Sequence, residues 1–260
     1  MTWNIKTGAR DGGGDRLPAV AAVLARERPD VLALQELRDF DRHAGRRLRA
    51  LAGAAGMEPH LARSVFGQPV AVLVRPPLRI TGRSAVTWRL HHAAAVVTVP
   101  TGAGPVTVVS THLNPFSAHR RRREAVWLAH RYRGGRTILA GDLNGLDPGT
   151  DHAADQAGWS TVVRRRHAAP DGTADTRALA AFAAGGLTDV WPAAGSGPAP
   201  TVPTTRGGGE EFFRTRLDYV LAGAELAPRA RAAWVVRGRE TEYASDHYPL
   251  RVDFDLAYVA

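Results

Sequence analysis

Apolar residues fall in short runs along this chain, most of them alternating or continuous in the manner of strands, with only a few stretches at helical spacing. Segments 31–34, 70–74, 94–99, 106–110, 137–140, 217–221, 232–236 and 250–256 read as strands. Segments 94–99 and 106–110 flank a Gly/Pro turn at 100–105 and predict a hairpin. Helical spacing covers 16–28, where Leu17, Val20, Val23 and Leu24 share a face, Asp15 stands as a cap, Pro18 lies in the first turn and Pro29-Asp30 ends the run. A second helix is predicted over 117–131, with Ala125, Val126, Leu128 and Ala129 turned inward, and a third over 176–184, stopped by Gly185-Gly186. Segments 145–175 (Asp, Gly, Arg) and 192–214 (Gly, Pro, Thr) read as loops. Strands are spread evenly over 1–260 without a repeat, so the pattern predicts one domain, two sheets packed face to face with helices outside.

Composition narrows the function classes. With 260 residues and 44% hydrophobic content the chain has material for a sizeable core. No apolar run approaches the roughly 20 residues of a membrane helix. The opening Met1-Thr2-Trp3-Asn4 lacks the basic and apolar parts of a signal peptide, so the expectation is a cytoplasmic monomer. The absence of cysteine excludes disulfides, thiol catalysis and thiolate zinc sites. Net charge is +9, and Lys6 is the only lysine, the remaining basic residues being arginine. Abundant Ala, Gly and Pro beside the arginines fit a GC-rich coding bias, which discounts the charge as a functional signal. Its physics persists, since guanidinium forks grip phosphate and a positive surface attracts polyanions such as nucleic acid.

Six polar blocks recur at or just after the apolar runs: Thr2-Trp3-Asn4-Ile5, Leu34-Gln35-Glu36, Ser110-Thr111-His112-Leu113, Gly141-Asp142-Leu143-Asn144, Arg216-Leu217-Asp218-Tyr219 and Ser245-Asp246-His247. Asp142 and Asn144 are two apart, so on an extended strand end they point the same way. Carboxylates and amides gathered at strand ends suit Mg²⁺ or Mn²⁺, which keep several waters and take one or two carboxylates plus a substrate phosphate. Singly each block has a bland account: a strand-end Asp forms turns, Ser-Asp-His is commonly a surface turn, His112 fits a satisfied core histidine, and Asn4 can bond backbone. Their conjunction is the informative feature.

In this order and spacing the blocks resemble the endonuclease/exonuclease/phosphatase superfamily of DNase I-like metal-dependent phosphoesterases, over nearly the whole chain. The resemblance implies an α/β fold, a four-layer sandwich of two mixed β-sheets with helices outside. It also implies roles. Glu36 resembles the principal metal ligand, with Asn4 touching metal-bound water or phosphate and Asp246 ligating directly or through water. Asp142 resembles the group that activates the attacking water, Asn144 a phosphate holder, and His247 the imidazole that stabilises the phosphoryl charge. Asp218 would fix the His247 tautomer, and His112 would stabilise the phosphate or assist the leaving group.

Substrate identity is less legible. The expectation is a nuclease-like phosphodiesterase with Mg²⁺ or Mn²⁺ acting on nucleic acid, the alternatives being a phosphatase or phospholipase-type enzyme on a small molecule or lipid headgroup, or a non-catalytic nucleic-acid binder. The run Arg120-Arg121-Arg122-Arg123 follows His112, and Arg164-Arg165-Arg166 falls in the long loop. A charge run is ordinarily a solvated face, but Arg120, Arg121 and Arg216 are candidates to hold substrate phosphate. Aromatics interleaved with these runs are sparse in the sequence, which argues against base stacking there. A serine hydrolase on Ser110 or Ser245 lacks a Gly-x-Ser-x-Gly elbow. A transition-metal site on His91, His92, His112 and His119 lacks a companion carboxylate motif.

Overall fold

A computed structural model of the chain describes residues 1–12, 14–209 and 212–257. Two six-stranded sheets are built from β1 (Thr2–Asn4), β2 (Val31–Gln35), β3 (Glu58–Ala62), β4 (Val70–Val74), β5 (Gly82–Val86), β6 (Ala94–Thr101), β7 (Gly104–His112), β8 (Thr137–Asp142), β9 (Leu187–Asp189), β10 (Asp218–Gly223), β11 (Ala230–Val235) and β12 (Leu250–Phe254). One sheet runs β11-β12-β1-β2-β4-β3 and the other β9-β10-β8-β7-β6-β5. Each is mixed: β1 lies parallel to β2 and β7 parallel to β8, while the other pairs are antiparallel.

Alternation along the strands sorts side chains between layers. On β4, Val70, Val72 and Val74 face the second sheet, while Ala71 and Leu73 face the helices α1 (Leu17–Glu27) and α2 (Arg46–Ala55). On β10, Val220 and Ala222 enter the inter-sheet core, whereas Tyr219 and Leu221 meet α3 (Ala118–Arg131) and the later helix Arg177–Ala184. The inter-sheet layer is mainly Val and Ala; Leu and aromatic residues predominate under the helices. The result is four layers, helix–sheet–sheet–helix, as the resemblance implies.

The hairpin is tighter than its sequence suggests: β6 and β7 stay paired to Thr101 and Gly104, because Thr101 closes the turn on Gly104 O and the Ala103 amide. Segment 145–175 departs from the loop expectation by carrying Ala153–Ala157 and Thr161–His167 as short helices. They pack Trp159 and Val163 into a satellite core with Leu146, Val202 and Leu217, and Ser160 caps the second by accepting from the Val163 amide.

Candidate active site

The alternation that fills the core also assembles the site. Facing the gap between the sheets, β8 presents Ile138, Ala140 and then Asp142; β7 presents Val106, Val108, Ser110 and His112; β2 presents Val31, Ala33 and Gln35; β10 begins with Asp218. The apolar members seal the core, so the polar ones meet at one end of the sandwich. Register places Asp142 beside both His112 and Asp218 within one sheet, and Asn4 beside Gln35 in the other. The sheets are stitched there by Gln35, whose Nε2 donates to Ser110 Oγ at 3.1 Å. Gly141 is required at this end of β8: a Cβ would stand 1.9 Å from the Thr111 carbonyl oxygen of the neighbouring strand.

Two site residues turn out of their strands through left-handed backbone, Glu36 with φ 58° and Asn144 with φ 48°. Asn4 bridges the sheets, its Nδ2 donating to Glu36 Oε1 and to Asp142 Oδ2, both at 3.0 Å. The second Glu36 oxygen accepts from the Thr7 amide at 2.9 Å and from Gln68 Nε2 at 3.3 Å. Asp142 Oδ1 accepts the Asn144 amide at 3.0 Å, while His112 Nε2 lies 3.3 Å and His247 Nε2 3.6 Å from Oδ2. The His247 ring is oriented by Nδ1–H donating to Asp218 Oδ2 at 2.8 Å. Its backbone is fixed by Trp3 Nε1 on its carbonyl and by Ser245 Oγ beneath its amide.

The two imidazoles are in opposite electrostatic states. Burial opposes charge on His247, but Asp218, Asp142 and the hydrogen bond to Asp218 outweigh it and lift its pKa to about 10, so the ring is a cation near neutrality. His112 is held neutral: burial, then the His247 charge, depress it to about 3. Neutral His112 thus stands with Nε2 3.3 Å from Asp142 Oδ2, one ring nitrogen being able to carry a proton for donation. Asp142 itself is raised to about 7 by burial, with Asp218 adding to the shift and His247 opposing it.

Seven of the eight expected catalytic and metal-site residues are held together by these contacts: Asn4, Glu36, His112, Asp142, Asn144, Asp218 and His247. Asp246 lies alongside, close enough for its charge to favour the His247 cation, and pairs with Lys6 Nζ at 3.5 Å. Asn4 joins two carboxylates through Nδ2 while the Lys6 amide donates to its Oδ1 at 2.9 Å. Two of the candidate phosphate arginines are structural. Arg121 is 1% exposed and donates to the carbonyls of Asn114 and Arg166. Arg216 is buried against Trp191 and Tyr219, paired with Asp147 and Asp189 at 3.1 and 2.7 Å. Arg120 is exposed, and its charge reaches His91.

Three contributors lie outside the six polar blocks. Gln68 precedes β4 and reaches Glu36, leaving a buried Oε1 with no partner. His92 stacks on His112 at 4.3 Å between ring centroids. Lys6 enters from the left-handed turn Lys6–Ala9 and binds Asp246 and the Gly207 carbonyl. The donor chemistry fits a hard divalent ion: the carboxylates of Glu36 and Asp246 and the side-chain amides of Asn4 and Gln68 gather at this end of the sandwich. Among the described residues no cluster of three or more His, Asp or Glu forms a dedicated cage.

Residues 1–247 match the profile of the Endonuclease/Exonuclease/phosphatase family. No curated protein sequence matches the chain. Among solved structures, the mannosyl-6-phosphatase of Bacteroides thetaiotaomicron superposes with a TM-score of 0.70 at 15% identity, covering 99% of this chain and 98% of its own. An AP endonuclease from Archaeoglobus fulgidus gives 0.69 at 19% identity, with 98% of each chain covered. Truncated TDP2 from Caenorhabditis elegans gives 0.67 at 18% identity, covering 99% of this chain and 96% of that one. At these identities the likeness is one of fold.

Proposed function

The chain belongs to the Endonuclease/Exonuclease/phosphatase family, a family of hydrolytic phosphoesterases, and on that premise we propose that it is a divalent-metal-dependent phosphodiesterase acting on nucleic acid. One observation carries the reading: Oδ2 of a buried carboxylate, Asp142, has Nε2 of two buried histidines at 3.3 and 3.6 Å, one of those rings is oriented by Asp218, and a single amide, Asn4, links Asp142 to Glu36.

The residues divide the work of an in-line displacement. His247, charged and oriented, donates from Nε2 to a phosphoryl oxygen and stabilises the charge that grows there. Asp142 accepts the proton of the attacking water as the new P–O bond forms and the ester P–O bond breaks. His112 offers its Nε2–H to the phosphate or the leaving oxygen, and stacking on His92 keeps the ring in place. Asn144 gives one amide hydrogen to Leu113 O at 3.2 Å and keeps the other for phosphate. Glu36 would hold the ion, with Asn4 beside it and Asp246 adding negative charge at the same end. Such an ion, when bound, neutralises phosphate charge and polarises the phosphorus.

Nucleic acid is chosen over a small phosphate ester because an AP endonuclease is among the structural neighbours and because the basic residues are arginines, whose forks grip phosphate, the net charge itself being discounted as compositional. The test is a panel with Mg²⁺, Mn²⁺ and Ca²⁺: plasmid DNA, abasic duplex, RNA, sphingomyelin and sugar phosphates. Cleavage of a nucleic acid well above the other substrates supports the reading. Preferential turnover of a sugar phosphate or sphingomyelin refutes the nucleic-acid assignment, and inertness toward all of them refutes the enzyme.

A further inference from the structure

The rings of the site do not end at His112. His112 stacks on His92 at 4.3 Å and 27°, and His92 meets His91 edge-on at 4.5 Å. His91 then stacks flat on Phe66 at 4.4 Å and 18°, and meets Phe116 edge-on at 5.6 Å. Phe66 and Phe116 are 59% and 58% exposed, although each is large and apolar. A continuous path of rings therefore leads from the Asp142 carboxylate to the surface and ends in two aromatic faces turned to solvent.

The path is built by parts distant in sequence. Phe66 precedes β4, His91 and His92 precede β6, and Phe116 lies between β7 and α3. Glu124 of α3 fixes two of these segments together, accepting the His91 amide at 2.6 Å and the Asn114 amide at 2.7 Å. Asn114 in turn accepts the Phe116 amide at 2.9 Å. The rings are thus held at set angles before any ligand arrives. Cations border them: the Arg166 guanidinium lies 5.8 Å from the Phe116 centroid, and Arg120 is exposed in the first turn of α3, four residues after Phe116. Aromatics sparse along the sequence near both arginine runs are, in space, gathered beside one residue of each.

We infer that Phe66, His91 and Phe116 form a stacking subsite for a nucleobase adjoining the scissile phosphodiester, with Arg120 and Arg166 meeting the strand's neighbouring phosphate. The inference deepens the phosphodiesterase reading and rests on it. Exposed flat rings beside guanidinium groups are what a single strand requires, because every base has a stackable face and every step carries a charge.

The test uses a short single-stranded oligonucleotide carrying 2-aminopurine, titrated with the full chain in EDTA so that binding is read without turnover. Stacking quenches the 2-aminopurine emission. The expected result is quenching by the wild type, and affinity lower by about tenfold in the Phe66→Ala/Phe116→Ala double variant, the size of one lost base–aromatic stack. Phe66→Trp, which keeps a stacking face, is expected to retain both quenching and affinity, which guards against a fold defect in the double variant. Equal wild-type affinity for a base-free backbone of the same length, or equal affinity of wild type and double variant, overturns the subsite. So does displacement of the oligonucleotide by mannose 6-phosphate from wild type but not from the double variant, which would make the platform a sugar site. Wild-type hydrolysis of bis-p-nitrophenyl phosphate with Mg²⁺ reads the phosphoesterase separately, so that the failure of either reading is recognisable.

Discussion

The decisive residues are polar ones that end alternating apolar runs. Asp142 follows Ile138 and Ala140 on one face of β8, and His112 follows Val106 and Val108 on β7, so the sequence exposes their common direction. For Asp142→Asn and His247→Ala the expected outcome is a loss of two or more orders of magnitude in kcat on bis-p-nitrophenyl phosphate, with the far-UV spectrum and melting profile of a folded protein. Near-wild-type rates in either variant contradict the assignment. Arg216 behaves otherwise. Its guanidinium is buried and holds Asp147 and Asp189, so Arg216→Ala strands two carboxylates and is expected to lower stability by about 3 kcal/mol in urea titrations. An unchanged urea midpoint with a raised KM would instead return it to the substrate. Its sequence position just before Asp218 could not reveal this, because Asp189 and Asp147 reach it only through folding. Gln68 and Lys6 were illegible for the same reason, coming from a strand approach and a turn where no periodicity marks direction; His92 was weighed only as part of a histidine metal site, and its stacking on His112 appears only on folding.

At the level of elements, strands with strong apolar runs were readable, the edge strand β11 among them, and the polar edges β3 and β5 were not. β3 and β5 close the two sheets with Glu-Pro-His-Leu-Ala and Gly-Arg-Ser-Ala-Val, sequences with few apolar residues because one side or both meet water. Helix α2 was missed as well, its arginines masking the buried face of Leu51, Ala52 and Ala55. The helices within 145–175 are short and depend on tertiary support from their satellite core. His167 shows that dependence. It is 2% exposed, packs near Trp159 and Phe213, and is lowered to about 3 by burial and then by the charges of Arg121 and Arg166. Its folded pKa lies below the unfolded value near 6.5, so the unfolded chain binds the extra proton and stability falls as pH drops from about 6.5 toward 3. Between pH 7 and 5 this ring alone contributes a loss of roughly 2 kcal/mol. The urea midpoint of His167→Phe is expected to fall less than that of wild type over this interval; parallel profiles would contradict the account.

In the whole molecule, two mixed sheets bury Val and Ala between them and leave their polar strand ends on one rim, with helices sealing the outer faces. That architecture brings Asn4, Glu36, His112, Asp142, Asp218 and His247 together from six places in the chain, and the order of the blocks made it legible. Substrate was less legible, because the aromatic platform beside the site is assembled from three separate loops. The most direct measurement is steady-state hydrolysis of bis-p-nitrophenyl phosphate as a function of Mg²⁺, for wild type and Glu36→Gln. The expected result is hydrolysis that saturates with Mg²⁺, vanishes in EDTA, returns with Mg²⁺ or Mn²⁺, and in Glu36→Gln needs at least tenfold more metal. A rate indifferent to chelation, or a Glu36→Gln curve that overlies the wild type, would contradict it.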